Sequence, residues 1–116
     1  MHFAGQSCDM KKIRSLSKKF GFSIIEDASH AIGGKYLNKP IGSCQYSDIT
    51  VFSFHPVKII TTAEGGLATT NDKELTERMR LFRSHGVTRD PELMSKASEG
   101  GWYYQQVDLG FNYRMT

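Results

Sequence analysis

Three short stretches of the sequence carry the side chains best suited to chemistry. They read EDASHA (residues 26–31), SFHPVK (53–58) and GFNYR (110–114). The first two follow short apolar runs with the composition of β-strands, so they stand at the carboxyl ends of predicted strands. In α/β sheets, ligands bind outside the carboxyl ends of the strands. The sequence therefore predicts a binding site at which these two stretches meet.

Lys58 points to a particular chemistry. It stands among uncharged neighbours after His-Pro, whereas most lysines of the chain lie in charged, helix-like stretches. A lysine amine can form an imine with an aldehyde and can then carry a proton. Asp27 can pair with a protonated pyridine nitrogen, and Ser53 and Asn112 can hold a phosphate through neutral hydrogen bonds. Together these are the functions that pyridoxal phosphate (PLP) requires of a protein.

Each of these residues has a simpler explanation when it is taken alone. Asp27 could cap a helix after a strand. His30, which as a cofactor residue would lie flat against the pyridine ring, could be a hydrogen-bonded polar residue at a helix start. Ser53 could bond to the backbone, and Lys58 could be an ordinary surface lysine, because lysine is rarely buried. Asn112 could be a turn residue. The PLP interpretation therefore depends on all five occurring together.

The elements around these stretches alternate as they do in an α/β protein. Apolar residues at helical spacing predict one helix from Asp9 to Phe20, and a second is predicted from Asp72 to about Ser84. Strands are predicted at the apolar runs 22–25, 47–54 and 65–70. The glycine-rich residues 33–43 predict a loop or a short hairpin. A helix followed at once by a buried strand is typical of a parallel sheet.

Length and composition narrow the class of protein. The chain has 116 residues, of which 39% are hydrophobic and 23% are charged, values that are ordinary for a soluble globular protein. Its basic residues are spread over two helix-like segments, which argues against a nucleic-acid partner. No apolar run approaches the roughly 18 residues of a membrane span, so no membrane partner is expected. Cys8 and Cys44 match neither a disulfide framework nor a zinc motif, which predicts a cytoplasmic protein without a metal site.

Four stretches, in their order and spacing, closely resemble the DegT/DnrJ/EryC1/StrS family of sugar aminotransferases. They read EDASHAIGGKYLNKPIGS, DITVFSFHPVKIITTAEGGLATTND, RSHG and GFNYRMT. The resemblance runs over nearly the whole chain and is nearest to the transaminases that make 4-amino-4,6-dideoxy-N-acetyl sugars in the pseudaminic acid pathway. It implies an α/β fold, namely part of the large domain of a type I PLP-dependent aminotransferase, with a mainly parallel sheet and flanking helices.

The resemblance also implies an expectation about domain organisation. Members of this family are roughly three times as long as this chain, a size that normally divides into two domains. Residues 1–116 are therefore expected to form a single segment, the central part of the PLP-binding large domain. The N-terminal portion of that domain and the C-terminal small domain are expected to be absent from this segment.

The resemblance assigns a role to each candidate residue. Lys58 matches the lysine that forms the imine with PLP, and Asp27 matches the aspartate that pairs with the pyridine nitrogen. His30 stands where the family has histidine or glutamine against the ring, and Ser53 matches the serine on the cofactor phosphate. Asn112 matches an asparagine that reaches the phosphate of the neighbouring subunit, which implies a homodimer with a shared active site.

The activity implied is transfer of an amino group from an amino acid, usually glutamate, to a nucleotide-linked 4-keto-6-deoxy sugar in surface-polysaccharide or glycan biosynthesis. Family members with histidine in place of the lysine act as dehydratases, and Lys58 favours transamination instead. A cysteine desulfurase of the same fold would need a mobile nucleophilic cysteine, and Cys8 and Cys44 stand in the wrong contexts. The remaining alternative is a catalytically incompetent fragment or a non-catalytic relative that retains the fold. The resemblance assigns no role to the RSHG motif, Arg83 to Gly86.

Overall fold

The computed structural model describes residues 1–115, which fall into two compact units. The first unit comprises residues 1–73 together with Met115, and the second comprises residues 74–114. The helices are α1 (Met10–Phe20) and α2 (Lys73–Arg83), preceded by a 3-10 turn at Phe3–Gly5. The strands are β1 (Ile25–Asp27), β2 (Lys35–Tyr36), β3 (Lys39–Pro40), β4 (Ile49–Ser53), β5 (Gly66–Thr69), β6 (Val87–Thr88) and β7 (Gln105–Gln106). No helix within residues 1–115 is long and apolar enough to cross a bilayer.

Helix α1 begins and ends as its sequence predicts. Asp9 Oδ1 accepts a hydrogen bond from Lys12 N at 3.3 Å and caps the first turn. Gly21 follows the helix at φ +73°, the left-handed conformation that glycine adopts without strain. Met10 and Ser17 are buried on one side, and the lysines between them form the exposed side. The prediction of this helix is confirmed.

The main sheet has three strands in the order β1–β4–β5. Strands β1 and β4 are parallel, with Asp27 opposite Val51, whereas β5 is antiparallel to β4, with Gly66 opposite Ser53. The sheet is therefore mixed, and the prediction of a mainly parallel sheet is not met. The reason is the connection: residues 54–65 join β4 to β5 without the crossover helix that a parallel pair normally needs.

The two faces of the main sheet differ in burial. Successive side chains of a strand point to opposite faces. On one face the side chains are buried: Glu26, Thr50 and Phe52. The opposite face carries Ile25 and Val51, which are 65% and 38% exposed. By the same alternation, Asp27 and Ser53 belong to this open face.

Strands β2 and β3 form the predicted hairpin and are tied to the start of α1. Leu37 and Asn38 both have positive φ, 45° and 64°, as the two-residue turns that match the twist of a hairpin require. Tyr36 Oη donates to Asp9 Oδ1 at 2.7 Å. The Lys12 side chain and the Tyr36 hydroxyl lower the pKa of Asp9 to about 2. The helix cap and the hairpin therefore share one carboxylate.

The second unit contains a two-stranded sheet that the sequence did not predict. Strand β6 is antiparallel to β7, with Val87 opposite Gln106 and Thr88 opposite Gln105. Strands of two residues are too short to show the alternation by which a strand is recognised.

Candidate active site

The carboxyl ends of β1 and β4 place three of the predicted site residues at one edge of the main sheet. Asp27 ends β1, His30 follows it by three residues, and Ser53 ends β4. The two strands are neighbours, and Ala28 N donates to Val51 O at 2.8 Å just beyond their last paired residues. The two stretches therefore lie together at the carboxyl edge of the sheet, as the sequence predicted. Their roles remain predictions.

Asp27 is half-buried and held in its ionised form. Ser29 N donates to Asp27 Oδ1 at 3.0 Å. The Ser29 side chain, and then its backbone N–H, lower the pKa of Asp27. Burial opposes these effects without reversing them. Asp27 is therefore a carboxylate at neutral pH, which is the form that pairing with a cationic ring nitrogen requires.

His30 lies beside the first residues of the chain. It is half-buried, and its ring centroid lies 5.9 Å from that of Phe3 with the two planes tilted by 58°. Gly5 passes close to the same turn, because a Cβ at Gly5 would lie 3.3 Å from His30 O. The imidazole is thus in contact with a second aromatic ring, at the same edge of the sheet as Asp27.

Residues 54–65, which we call the lysine loop, leave β4 and return as β5. The loop is closed at its base by Phe54, whose N donates to Gly65 O at 2.9 Å. Phe54 O accepts from Thr62 N at 3.0 Å and from Thr61 Oγ1 at 2.9 Å. These bonds hold both ends of the loop together. The loop is therefore a closed turn attached to the end of β4, and not an extended linker.

Lys58 lies within this loop, in a half-buried position. Its backbone N donates to His55 O at 2.9 Å and fixes a turn there. Among the residues that the structure describes, its amine forms no ion pair, so no carboxylate competes for it. Ser53 Oγ accepts a hydrogen bond from His55 N at 3.4 Å. The Ser53 hydroxyl hydrogen remains available to donate to an anion.

A buried polar cluster behind this site was not identified from the sequence. Glu26 accepts a hydrogen bond from His2 Nε2 at 2.6 Å, another from Thr50 Oγ1 at 3.1 Å and a short one from Ser47 Oγ. His2 Nδ1 accepts from Cys8 N at 3.2 Å, which leaves Nε2 as the ring nitrogen that donates to Glu26. The strand alternation that buries Glu26 was the available signal, but its partners are distant in the sequence.

Asn112 is the predicted site residue that lies in the second unit. It is exposed and pairs with Ser84 in an isolated antiparallel bridge. Arg114 Nε donates to Asn112 Oδ1 at 3.1 Å. Because the carbonyl oxygen of the side chain is engaged by Arg114, its Nδ2 group is left to donate. An amide in this state suits an acceptor such as a phosphate oxygen.

The similarity to one known protein family extends over the whole chain. The sequence profile of the DegT/DnrJ/EryC1/StrS aminotransferase family matches residues 1–116. The chain belongs to this family. The prediction drawn from the motifs is confirmed, and the α/β aminotransferase fold is supported by solved structures of similar proteins.

Three similar proteins illustrate the match. The UDP-4-amino-4,6-dideoxy-N-acetyl-beta-L-altrosamine transaminase of Campylobacter jejuni is 42% identical over 114 residues, which is 98% of this chain and 27% of the relative. The structure of Helicobacter pylori PseC, an aminotransferase involved in the biosynthesis of pseudoaminic acid, superposes with a TM-score of 0.84 at 40% identity, over 97% of this chain and 28% of that one. The PMP form of Streptococcus pneumoniae Spr1654 has a TM-score of 0.74 at 32% identity, over 99% and 33%. The chain therefore spans only part of the length of these relatives.

Proposed function

We propose that this chain is part of a PLP-dependent aminotransferase that moves an amino group from an amino acid to a nucleotide-linked 4-keto-6-deoxy sugar. Glutamate is the expected donor, and surface-polysaccharide or glycan biosynthesis is the expected setting, in the cytoplasm. The observation that carries the proposal is that an ionised Asp27 and the Ser53 hydroxyl end neighbouring strands, at the edge of the sheet where the loop carrying Lys58 begins. Family membership and the transaminase names of the relatives support it.

In such an enzyme the chain corresponds to the central part of the PLP-binding large domain. The resemblance to the family supports this position, and the alignments support only that the chain matches a part of longer proteins, since it covers 27% and 28% of the Campylobacter jejuni and Helicobacter pylori proteins. The rest of such an enzyme would supply the remaining contacts to cofactor and substrates. The activity is therefore proposed for the protein to which these residues belong.

The residues of the site fit PLP by their chemistry. When bound, this cofactor withdraws electrons from the substrate carbon that loses its proton. Asp27 would place its negative charge against the ring nitrogen and keep that nitrogen protonated. Ser53 would donate its hydroxyl hydrogen to the phosphate, and His30 would lie against the ring. The Lys58 amine would attach to the cofactor aldehyde. Once the substrate has displaced it, the amine would carry the proton from the substrate carbon to the cofactor carbon that formed the aldehyde.

Asn112 extends the proposal to the assembly. With Oδ1 engaged by Arg114, the Nδ2 group would donate to the phosphate of the cofactor held by a second subunit. The resemblance to the family supports this role, and the two N–H donors of an amide group are compatible with it. The proposed enzyme is therefore a homodimer whose two sites each use residues of both subunits.

The first test is covalent trapping of the cofactor. The protein as its gene encodes it is mixed with PLP and reduced with borohydride, and pyridoxyl adducts are mapped by peptide mass spectrometry. We expect one adduct, on Lys58, that disappears in Lys58→Ala and persists in the control Lys39→Ala, which removes an exposed lysine of the hairpin. Labelling spread over surface lysines, or unchanged in Lys58→Ala, would refute the assignment.

A second measurement separates the enzyme from the alternative. The trapped protein is compared with untreated protein for transfer of the amino group from glutamate to a nucleotide-linked 4-keto-6-deoxy sugar, followed by detection of the aminated sugar. We expect transfer by the untreated protein only. An adduct on Lys58 without any transfer would favour a non-catalytic relative that has kept the fold.

A further inference from the structure

The RSHG motif closes helix α2 with two residues in the left-handed region. His85 and Gly86 have φ of 62° and 68°. Gly86 N donates to Leu81 O at 2.9 Å, as in the turns that end helices. Left-handed backbone suits glycine and strains histidine. The motif therefore forms a tight turn that the chain maintains at some cost.

This turn is hydrogen-bonded to the segment that carries Asn112. The backbone bonds are His85 N to Phe111 O (2.9 Å), Phe111 N to Phe82 O (2.6 Å), Tyr113 N to Arg83 O (3.0 Å) and Val107 N to Gly86 O (2.8 Å). We call residues 82–86 and 107–113, joined in this way, the clasp. Because these bonds run through the backbone on both sides of Asn112, the clasp sets the position of that residue.

Two glycines allow the halves of the clasp to approach. A Cβ at Gly86 would lie 1.9 Å from Asp108 O, and one at Gly110 would lie 2.2 Å from Gly86 N. Both neighbours are backbone atoms, which cannot rotate away as a flexible side chain can. Gly101, in the same unit, would place a Cβ within 4 Å of nothing. Substitution at Gly86 or Gly110 must therefore open the clasp, and substitution at Gly101 need not disturb anything.

The side chain of Asn112 is oriented by its neighbours. The rings of Phe111 and Tyr113 stack with centroids 5.0 Å apart and planes 7° from parallel. Successive side chains of an extended segment point to opposite sides, so Asn112 points away from this stack. Arg114 then holds Oδ1 at 3.1 Å. The result is an amide whose oxygen accepts from Arg114 and whose N–H donors are on Nδ2, on the side away from the stacked rings.

We propose that the RSHG turn is a positioning device that presents Nδ2 of Asn112 to the phosphate group of the cofactor bound by a partner subunit. Gly86 acts only through Asn112, by letting the backbone of the turn reach Asp108 and Phe111. The inference rests on the proposed function, because it assumes that Asn112 donates a hydrogen bond to the cofactor phosphate. It assigns to the motif a role that the resemblance to the family did not supply.

The first experiment compares two cofactor analogues on the protein as its gene encodes it. Binding of PLP and of pyridoxal, which lacks the phosphate, is measured by absorbance for Gly86→Ala, Asn112→Ala and the control Gly101→Ala. We expect Gly86→Ala and Asn112→Ala each to weaken PLP binding about tenfold, the value of one hydrogen bond to a charged group. Binding of pyridoxal should not change, and Gly101→Ala should resemble the unsubstituted protein.

A milder variant keeps the test valid if Gly86→Ala does not fold. Gln106 Nε2 donates to His85 O at 3.0 Å, so Gln106→Ala removes one bond of the turn without adding an atom. We expect a smaller loss, again for PLP and not for pyridoxal. Equal losses for both compounds would show a general structural role and overturn the proposal. An unchanged affinity for PLP in Asn112→Ala would overturn it as well.

The second experiment uses mixed dimers. Chains carrying Lys58→Ala are combined with chains carrying Gly86→Ala, and adducts are trapped with borohydride at a PLP concentration too low to label Gly86→Ala alone. We expect labelling to return, because Lys58 of one chain then meets Asn112 on an intact clasp of the other. Failure to return would mean that Gly86 acts within its own subunit, against the proposal. Absence of a Lys58 adduct in the unsubstituted protein would instead refute the proposed function itself.

Discussion

Glu26 and Asp27 are adjacent in the sequence, yet they lie in opposite surroundings. Glu26 is 8% exposed and accepts hydrogen bonds from His2, Ser47 and Thr50. Asp27 is half-buried and accepts one bond, from Ser29 N. The strand alternation sends them to opposite faces of one sheet. A carboxylate facing the interior must have partners, since an unpaired buried charge costs several kcal/mol. A carboxylate on the open face is accessible to water and can bind a ligand.

This contrast teaches how one strand can serve both folding and chemistry. The cluster around Glu26 joins residues near the chain start to β1 and to the turn before β4. The same pairing of β1 with β4 places Asp27 opposite Val51, two residues before Ser53 on the same face of the sheet. The buried face therefore supports the geometry that the open face would use. The substitutions below separate the two contributions.

The largest expected effect is on the open face. Asp27→Asn keeps the shape of the side chain and removes its charge, so the ring nitrogen of the proposed cofactor would lose its counter-ion. We expect kcat for amino transfer to fall about 10²–10³-fold, as for loss of one preorganised electrostatic contact, and thermal stability to fall slightly, because the bond from Ser29 N to the carboxylate is weakened. Steady-state kinetics and a melting curve check both. A variant with unaltered kcat would remove Asp27 from the proposed mechanism.

The next effect is on the buried face. Glu26→Ala leaves the donors of His2, Ser47 and Thr50 without their acceptor, so the free energy of unfolding should fall by on the order of 3 kcal/mol. Urea unfolding measures the change, and Glu92→Ala, at an exposed glutamate, is the control. Activity per folded molecule should be largely retained. Loss of activity at full stability would contradict the division between the two faces.

The smallest expected effect is on the free energy of unfolding at acid pH. The Asp48 carboxylate accepts hydrogen bonds from Ile24 N at 2.7 Å and from the Arg14 guanidinium at 3.1 Å. The bond from Ile24 N–H lowers the pKa of Asp48 most, and Arg14 lowers it further. A lowered pKa in the folded state favours the ionised form, so Asp48 stabilises the protein above the ordinary aspartate pKa of about 4. That stability is lost as the pH falls through the folded pKa. Asp27 acts in the same direction.

Asp48→Asn should therefore reduce the loss of stability between about pH 5 and pH 2. Urea unfolding across this interval checks the prediction, with Asp90→Asn, at an exposed aspartate, as the control. An acid dependence identical to that of the unsubstituted protein would show that Asp48 is as acidic in the unfolded chain as in the folded one.

Much of the fold could be predicted because its signals are local. Helix α1 has its cap at Asp9 and its terminating glycine at Gly21, both within a few residues of the helix ends. The hairpin follows from its turn residues, and the strands follow from short apolar runs. The residues Asp27, Ser53 and Lys58 could be proposed for the same reason, since each lies at or just after the end of a predicted strand.

What only the tertiary structure decided depends on contacts between distant residues. The antiparallel course of β5 follows from a loop that closes on Phe54, and the burial of Glu26 follows from His2 and Ser47, more than twenty positions away in each direction. The need for glycine at position 86 comes from Asp108 O, which a Cβ would meet at 1.9 Å. Local preferences of the backbone depend on neighbouring residues and can be read from the sequence. Contacts between distant groups depend on the folded chain and cannot.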